Sequence, residues 1–171
     1  SKGISNINLN TIDQILFLGI GGIGMSALTK YFLHKNVKVY GFDRTPSEIT
    51  DELSSMGAKV FFKDDSSILE NTFDFVVYTP AIPKNSFLLN HYKSSETPLL
   101  KRSEVLGAIT ESNYTIAVSG SHGKTTISAM LTHLLKKSGI DCSAFLGGIS
   151  VNYNSNYVHG ESNVVVVEAD E

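Results

Sequence analysis

The sequence predicts an α/β protein built on parallel sheets, and three observations carry that prediction. Short apolar runs rich in valine, isoleucine and aromatics alternate along the chain with stretches of helical periodicity. Two strand-to-helix junctions carry glycine-rich turns, at 19–24 and at 120–123. One run, Val164-Val165-Val166-Val167, has no polar alternation, which places it in the middle of a sheet covered on both faces. Parallel strands need crossover connections, and the helical stretches supply them.

In the first unit the predicted strands are Ile15–Ile20, Val37–Phe42, Lys59–Phe62, Phe73–Tyr78 and Pro98–Leu100. Met25, Leu28 and Phe32 mark the apolar face of one helix. Ile49, Leu53 and Met56 mark another, stopped by Gly57. This unit is expected over residues 1–112. A second unit, over 113–171, opens with a strand at Tyr114–Val118 and a helix at Thr125–Ser138. That helix is expected to bury Ile127, Met130, Leu131 and Leu134 and to end at Gly139. Asp141–Leu146 and Val164–Glu168 supply two further strands. These elements are too few to cover both faces of a sheet around the valine strand. The expectation is therefore that the second domain is truncated and the chain is a piece of a longer protein.

Composition narrows the partners. With 14 basic and 17 acidic residues the net charge is -3, so no broad field attracts a nucleic-acid backbone or an anionic membrane, and a bound anion needs a local site. Cys142 is the single cysteine, which excludes an intramolecular disulfide framework and suggests a reducing compartment. The first ten residues lack a secretory pattern, and no apolar run approaches the roughly 20 residues of a membrane span. A cytoplasmic location is expected.

Gly19-Ile20-Gly21-Gly22-Ile23-Gly24 satisfies G-x-G-x-x-G between a predicted strand and a predicted helix. In that context Gly19, Gly21, Gly22, Ile23 and Gly24 allow a tight turn whose backbone approaches a diphosphate at the helix N-terminus. Asp43, after the second strand, stands where a ribose-binding carboxylate is expected. The motif alone suits a dinucleotide such as NAD, in an oxidoreductase or sensor domain. The competing readings are a tight turn without ligand and a solvated turn aspartate.

Gly120-Ser121-His122-Gly123-Lys124-Thr125-Thr126 also follows a strand and opens a helix, and it reads as a P-loop. Successive amides form a nest for phosphate oxygens, Lys124 brings a point charge to the terminal phosphates of ATP, and the Thr125 hydroxyl reaches magnesium. The match is partial, because the usual first glycine would fall at Val118. His122 is read as contributing its backbone to the nest. Glu168 closes the valine strand, and a carboxylate there suits Mg2+ opposite Thr125, since hard cations take oxygen ligands. Asp170 and Glu171 extend the same acidic strand end. The alternative is a charged strand end facing water.

Taken in order, Gly19 to Ala27, Arg102-Ser103-Glu104-Val105-Leu106, Ser119 to Thr126 and Glu168-Ala169-Asp170-Glu171 resemble the Mur ligases of bacterial cell-wall synthesis. The resemblance implies a Rossmann-like first domain that holds UDP-N-acetylmuramate, not NAD, followed by a P-loop α/β ATPase domain. Thr79, in Tyr78-Thr79-Pro80-Ala81-Ile82, resembles part of the loop lining the nucleotide site, although serines are commoner there. The segment 147–152 matches a further family loop loosely, without an assignable role. By position, Lys124 contacts the ATP phosphates, and Thr125 and Glu168 ligate magnesium. The implied reaction joins L-alanine to the lactyl carboxylate of UDP-N-acetylmuramate through an acyl phosphate, with ATP and Mg2+. The two substrates lie on different domains, so domain closure must align them and the 171-residue chain alone is expected to be inactive. Two other readings remain at this point: a related ligase that recycles a tripeptide onto the same sugar nucleotide, and a regulatory P-loop protein without ligase chemistry.

Overall fold

A computed structural model describes Ile4, residues 7–150, Tyr153 and residues 155–169. Val151, Asn152, Asp170 and Glu171, which fall within the motifs above, lie outside the described residues. The chain forms two compact units, Ser1–Ala108 and Ile109–Glu171.

In the first unit the strands are β1 (Gln14–Leu18), β2 (Lys38–Phe42), β3 (Lys59–Phe61), β4 (Phe75–Tyr78) and β5 (Leu99–Lys101). All pair in parallel, in the order β3-β2-β1-β4-β5. The chain starts at the centre, winds outward to β3, then returns to β4 on the other side of β1. The strand order therefore reverses between β1 and β4, and the crevice outside their carboxyl ends is where open α/β sheets take ligands. Burial explains the central place of these two strands: Ile15, Leu16, Phe17, Leu18, Phe75, Val76 and Val77 are all fully buried.

The helices are α1 (Ile23–His34), α2 (Glu48–Ser55), α3 (Phe87–Ser94) and α4 (Arg102–Glu111). The buried surface of α1 goes beyond Met25, Leu28 and Phe32, since every residue from Met25 to Phe32 is buried. Its polar members are satisfied: Thr29 donates to the Met25 carbonyl at 2.9 Å, and the Lys30 ammonium meets Glu52 of α2 at 3.1 Å. Ser47 caps α2 through a reciprocal pair with Thr50. Neither α3 nor α4 was legible as a helix in the sequence. Ser86 and the Asp64 carboxylate accept the first amides of α3, a cap assembled partly from a residue 23 positions away.

The second unit contains β6 (Tyr114–Val118), α5 (Lys124–Lys137), β7 (Ser143–Ser150), β8 (Ser155–Val158) and β9 (Val164–Glu168). The order is β6-β9-β7-β8, so the valine strand β9 lies inside the sheet, paired in parallel with β6 and β7. The unanticipated β8 runs antiparallel to β7. Its sequence, Ser155-Asn156-Tyr157-Val158, shows no period-2 pattern because Asn156 is buried beside Tyr157 and Val158. At the far end of α5, the Lys136 ammonium binds the Asp141 carboxylate at 2.7 Å and the His159 carbonyl at 2.8 Å. This partner, with the Glu161 amide, holds the Asp141 carboxyl below its ordinary range.

The expected apolar face of α5 is corrected by the structure. Ile127, Met130 and Leu134 are 52%, 55% and 60% exposed, while Ser128, Ala129 and Thr132 are buried. Leu131 and Leu135 pack against the small core of Val118, Cys142, Ala144, Leu146, Val158 and Val166. Small side chains let the helix lie close to the sheet, so its inward face is turned away from the bulky residues that periodicity selected.

Candidate nucleotide sites

The first glycine loop lies at the carboxyl end of β1, on the edge of the crevice between β1 and β4. Gly19 ends the strand at φ +88°, a conformation that favours glycine. The Gly19 and Ile20 amides donate to the Phe42 carbonyl at 2.7 and 3.0 Å, and the Gly22 amide donates to the Gly19 carbonyl at 3.1 Å. The Gly21 amide donates to Asp43 Oδ2 at 2.8 Å. Ile23 and Gly24 open α1, with Ile23 exposed.

This geometry gives Asp43 a role beyond the ribose contact suggested by its position. Besides the Gly21 amide, its carboxylate accepts the Thr45 amide at 3.2 Å, so it ties the loop after β2 to the glycine loop. Further lone pairs remain on each oxygen. Gly21 has no room for a side chain, since a Cβ there would lie 2.8 Å from Asp43 Oδ2. Thr79 follows β4, and its carbonyl accepts the Ile82 amide at 3.2 Å, closing a turn. The Ile82 side chain lies against Gly19, so the Thr79 turn and the glycine loop adjoin at the crevice.

In the second unit the loop after β6 carries Gly120 at φ +145° and Gly123 at φ +75°, and Gly123 is the N-cap of α5. Ser121, His122, Gly123 and Thr126 are exposed, Gly120, Lys124 and Thr125 half-buried. The β6–β9 register sets Val118 opposite Glu168, and the Ala169 amide donates to the Val118 carbonyl at 2.8 Å. This brings Glu168 to the loop: Thr125 Oγ1 lies 2.9 and 3.1 Å from its two carboxylate oxygens. Lys124 Nζ lies 3.5 Å from the Ala169 carbonyl. The Gly147 amide donates to the same Glu168 carboxylate, fixing it from β7. Gly147 was missed as a positioning residue, and the Gly147-Gly148 pair inside a strand was the available signal.

Among the described residues no cluster of three or more His, Cys, Asp or Glu side chains could hold a metal ion. The adjoining Thr125 hydroxyl and Glu168 carboxylate nevertheless fit one cation class. They are two hard oxygen donors, suited to magnesium, which keeps waters and substrate phosphates in its shell instead of demanding an all-protein cage.

A doubly wound sheet with a glycine loop at its switch point, followed by a unit that opens with a P-loop, defines an α/β protein of nucleotide-binding architecture. Residues 14–114, more than half of the chain, match the model described as Mur ligase family, catalytic domain, and the chain belongs to that family. It is 45% identical to the UDP-N-acetylmuramate–L-alanine ligase of Parabacteroides distasonis, over 96% of this chain and 37% of that protein. A solved UDP-N-acetylmuramate–alanine ligase from Thermotoga maritima superposes with a TM-score of 0.75 at 31% identity, over 91% of this chain and 37% of that one. A ligase from Neisseria for UDP-N-acetylmuramate and a diaminopimelate-containing tripeptide superposes with a TM-score of 0.82 over 94% of this chain and 53% of that one. At 22% identity that likeness shows the fold alone. The chain thus spans a little over a third of the length of the curated relatives it matches. Among the described residues no helix is long and apolar enough to cross a membrane.

Proposed function

We propose that this chain is the substrate-binding and ATP-binding portion of a cytoplasmic ligase that joins L-alanine to UDP-N-acetylmuramate. The first unit holds the sugar nucleotide at Gly19, Gly21, Gly22, Ile23, Gly24, Asp43 and Thr79. The second holds ATP at Gly120 to Thr126. The observation that carries the reading is the presence in one chain of a glycine loop at a sheet switch point and, about a hundred residues on, a P-loop lysine and threonine beside a strand-end carboxylate. Membership of the Mur ligase family and relatives named as L-alanine ligases at about 45% identity support the same choice.

In this mechanism a lactyl carboxylate oxygen attacks the γ-phosphorus of ATP, the bond to the bridging oxygen breaks, and ADP leaves. The L-alanine amine then attacks the acyl carbon, inorganic phosphate departs, and the nitrogen loses a proton. The first step brings two anions together, so positioning and charge stabilisation carry most of the catalysis. Lys124 supplies a cation at the terminal phosphates, and the 120–123 amides cradle their oxygens. Thr125 and Glu168 would hold magnesium, which would screen the phosphate charge. Glu168 itself is held by Gly147, so its carboxylate does not depend on a flexible contact for its direction.

The first test is calorimetric titration of the folded 171-residue chain. UDP-N-acetylmuramate is expected to bind and NAD is expected to give no heat. NAD binding without sugar-nucleotide binding would overturn the assignment in favour of a dehydrogenase-type site.

A further inference from the structure

We propose that Gly147 sets the magnesium affinity of the P-loop unit by positioning Glu168, and that 147 is glycine because this carboxylate occupies the place of a side chain. This rests on the proposed reading of Thr125 and Glu168 as magnesium ligands. β7 and β9 pair in parallel through Ser143–Val165, Ala144–Val166 and Phe145–Val167. Two residues further along β7, the Gly147 amide takes its acceptor from a side chain instead, the carboxylate of Glu168, one residue beyond Val167. The same stretch of β7 carries a register shift against β8, between Phe145 and Ser150. Irregularities of this kind re-aim groups beside a site, and here a backbone N–H is turned onto a charged oxygen.

The backbone at 147 does not call for glycine, since its φ lies outside the left-handed region. What excludes a side chain is the carboxylate. A Cβ on Gly147 would lie 3.0 Å from Glu168 Oε1 and 3.2 Å from both Cδ and Oε2. The next residue gives the contrast, because a Cβ on Gly148 would meet Thr125 Oγ1 at 3.8 Å, an ordinary contact. An ionised carboxylate offers about four lone-pair sites, of which the Gly147 amide and the Thr125 hydroxyl engage two, leaving room for a hard cation. An unanchored carboxylate beside nucleotide phosphates would swing away from their charge. The amide holds it in place before the metal arrives, as partners of metal ligands do.

The test is calorimetric titration of the 171-residue chain with ATP, once in excess Mg2+ and once in EDTA, with thermal unfolding of each protein. Wild type is compared with Gly147→Ala, Gly148→Ala, Glu168→Ala and the double variant Gly147→Ala/Glu168→Ala. Gly147→Ala is expected to weaken binding about 10-fold in Mg2+ and to leave binding in EDTA within about twofold of wild type. Gly148→Ala should match wild type in both, and a loss equal to that of Gly147→Ala would overturn the proposal. In the Glu168→Ala background, Gly147→Ala should have no further effect in Mg2+, because no carboxylate is left to displace. Equal losses in Mg2+ and EDTA would assign Gly147 to the shape of the loop and overturn the proposal. Binding of Gly147→Ala within about twofold of wild type in Mg2+ would also overturn it and leave the magnesium reading standing. If Gly147→Ala does not fold, the double variant decides: folding of the double variant supports the proposal, and its failure places the constraint in the strand and overturns it. A wild type whose ATP binding gains nothing from Mg2+ would remove both the magnesium reading and the proposal.

Discussion

Buried hydroxyls divide into those that have an acceptor and those that lack one, and α5 carries both kinds. Thr132 Oγ1 donates back to the Ser128 carbonyl at 2.7 Å, while Ser128 Oγ, fully buried on the same inward face, has no partner among the described residues. A desolvated hydroxyl without a partner costs about 1–3 kcal/mol, and alanine is also the better helix former. Ser128→Ala is therefore expected to raise stability by about 1 kcal/mol, read from the urea midpoint at unchanged slope. A lower midpoint would mean that the hydroxyl has an acceptor, such as a bound water. Residue by residue, the glycines of both loops and Lys124 of the second were visible because residues of these types at this spacing belong to a motif. The double attachment of Asp43 was not, since it depends on a carboxylate meeting an amide 22 positions away.

At the scale of elements, α5 separates two ideas that sequence reading joins, apolar periodicity and burial. Ile127, Met130 and Leu134 follow a helical spacing yet face outward, and Tyr114 at the start of β6 is 69% exposed. Substituting Ile127 or Leu134 by Gln is expected to change the stability of the 171-residue chain by no more than about 0.5 kcal/mol, whereas Ala129→Leu is expected to cost about 1–3 kcal/mol by overpacking the helix–sheet contact. Chemical denaturation of the three variants checks this, and the reverse ranking would restore the face expected from periodicity. The strands were legible for a clearer reason. Tyr114–Val118 and Val164–Glu168 coincide with their predicted limits because the apolar run and the strand are the same residues. β1 stops two residues before its apolar run does, because Gly19 turns at positive φ and Ile20 is buried as part of the loop. The start of α3 rests on Asp64, distant in sequence, and α4 has only Val105 and Ile109 fully buried, so neither showed a local stripe.

At the scale of the whole molecule, each unit has its own sheet and its own core. The core of the first gathers Leu16, Leu18, Tyr40, Phe42, Val76 and Leu88, and that of the second gathers Val118, Cys142, Ala144 and Val166. A ligand that binds only the folded state stabilises whatever must open to release it, by about 2.7 kcal/mol at a hundredfold excess over the dissociation constant. The proposed sugar-nucleotide site is made by Ser1–Ala108 alone, from the exits of β1, β2 and β4. Saturating UDP-N-acetylmuramate is therefore expected to slow exchange of the most protected amides in β1, β2 and β4 by about 100-fold, while amides of β6, β7 and β9 keep their rates. Hydrogen exchange read by mass spectrometry or NMR distinguishes the outcomes. Protection confined to β6, β7 and β9 would move the sugar nucleotide to the P-loop unit, and equal protection throughout would make the two units one cooperative body.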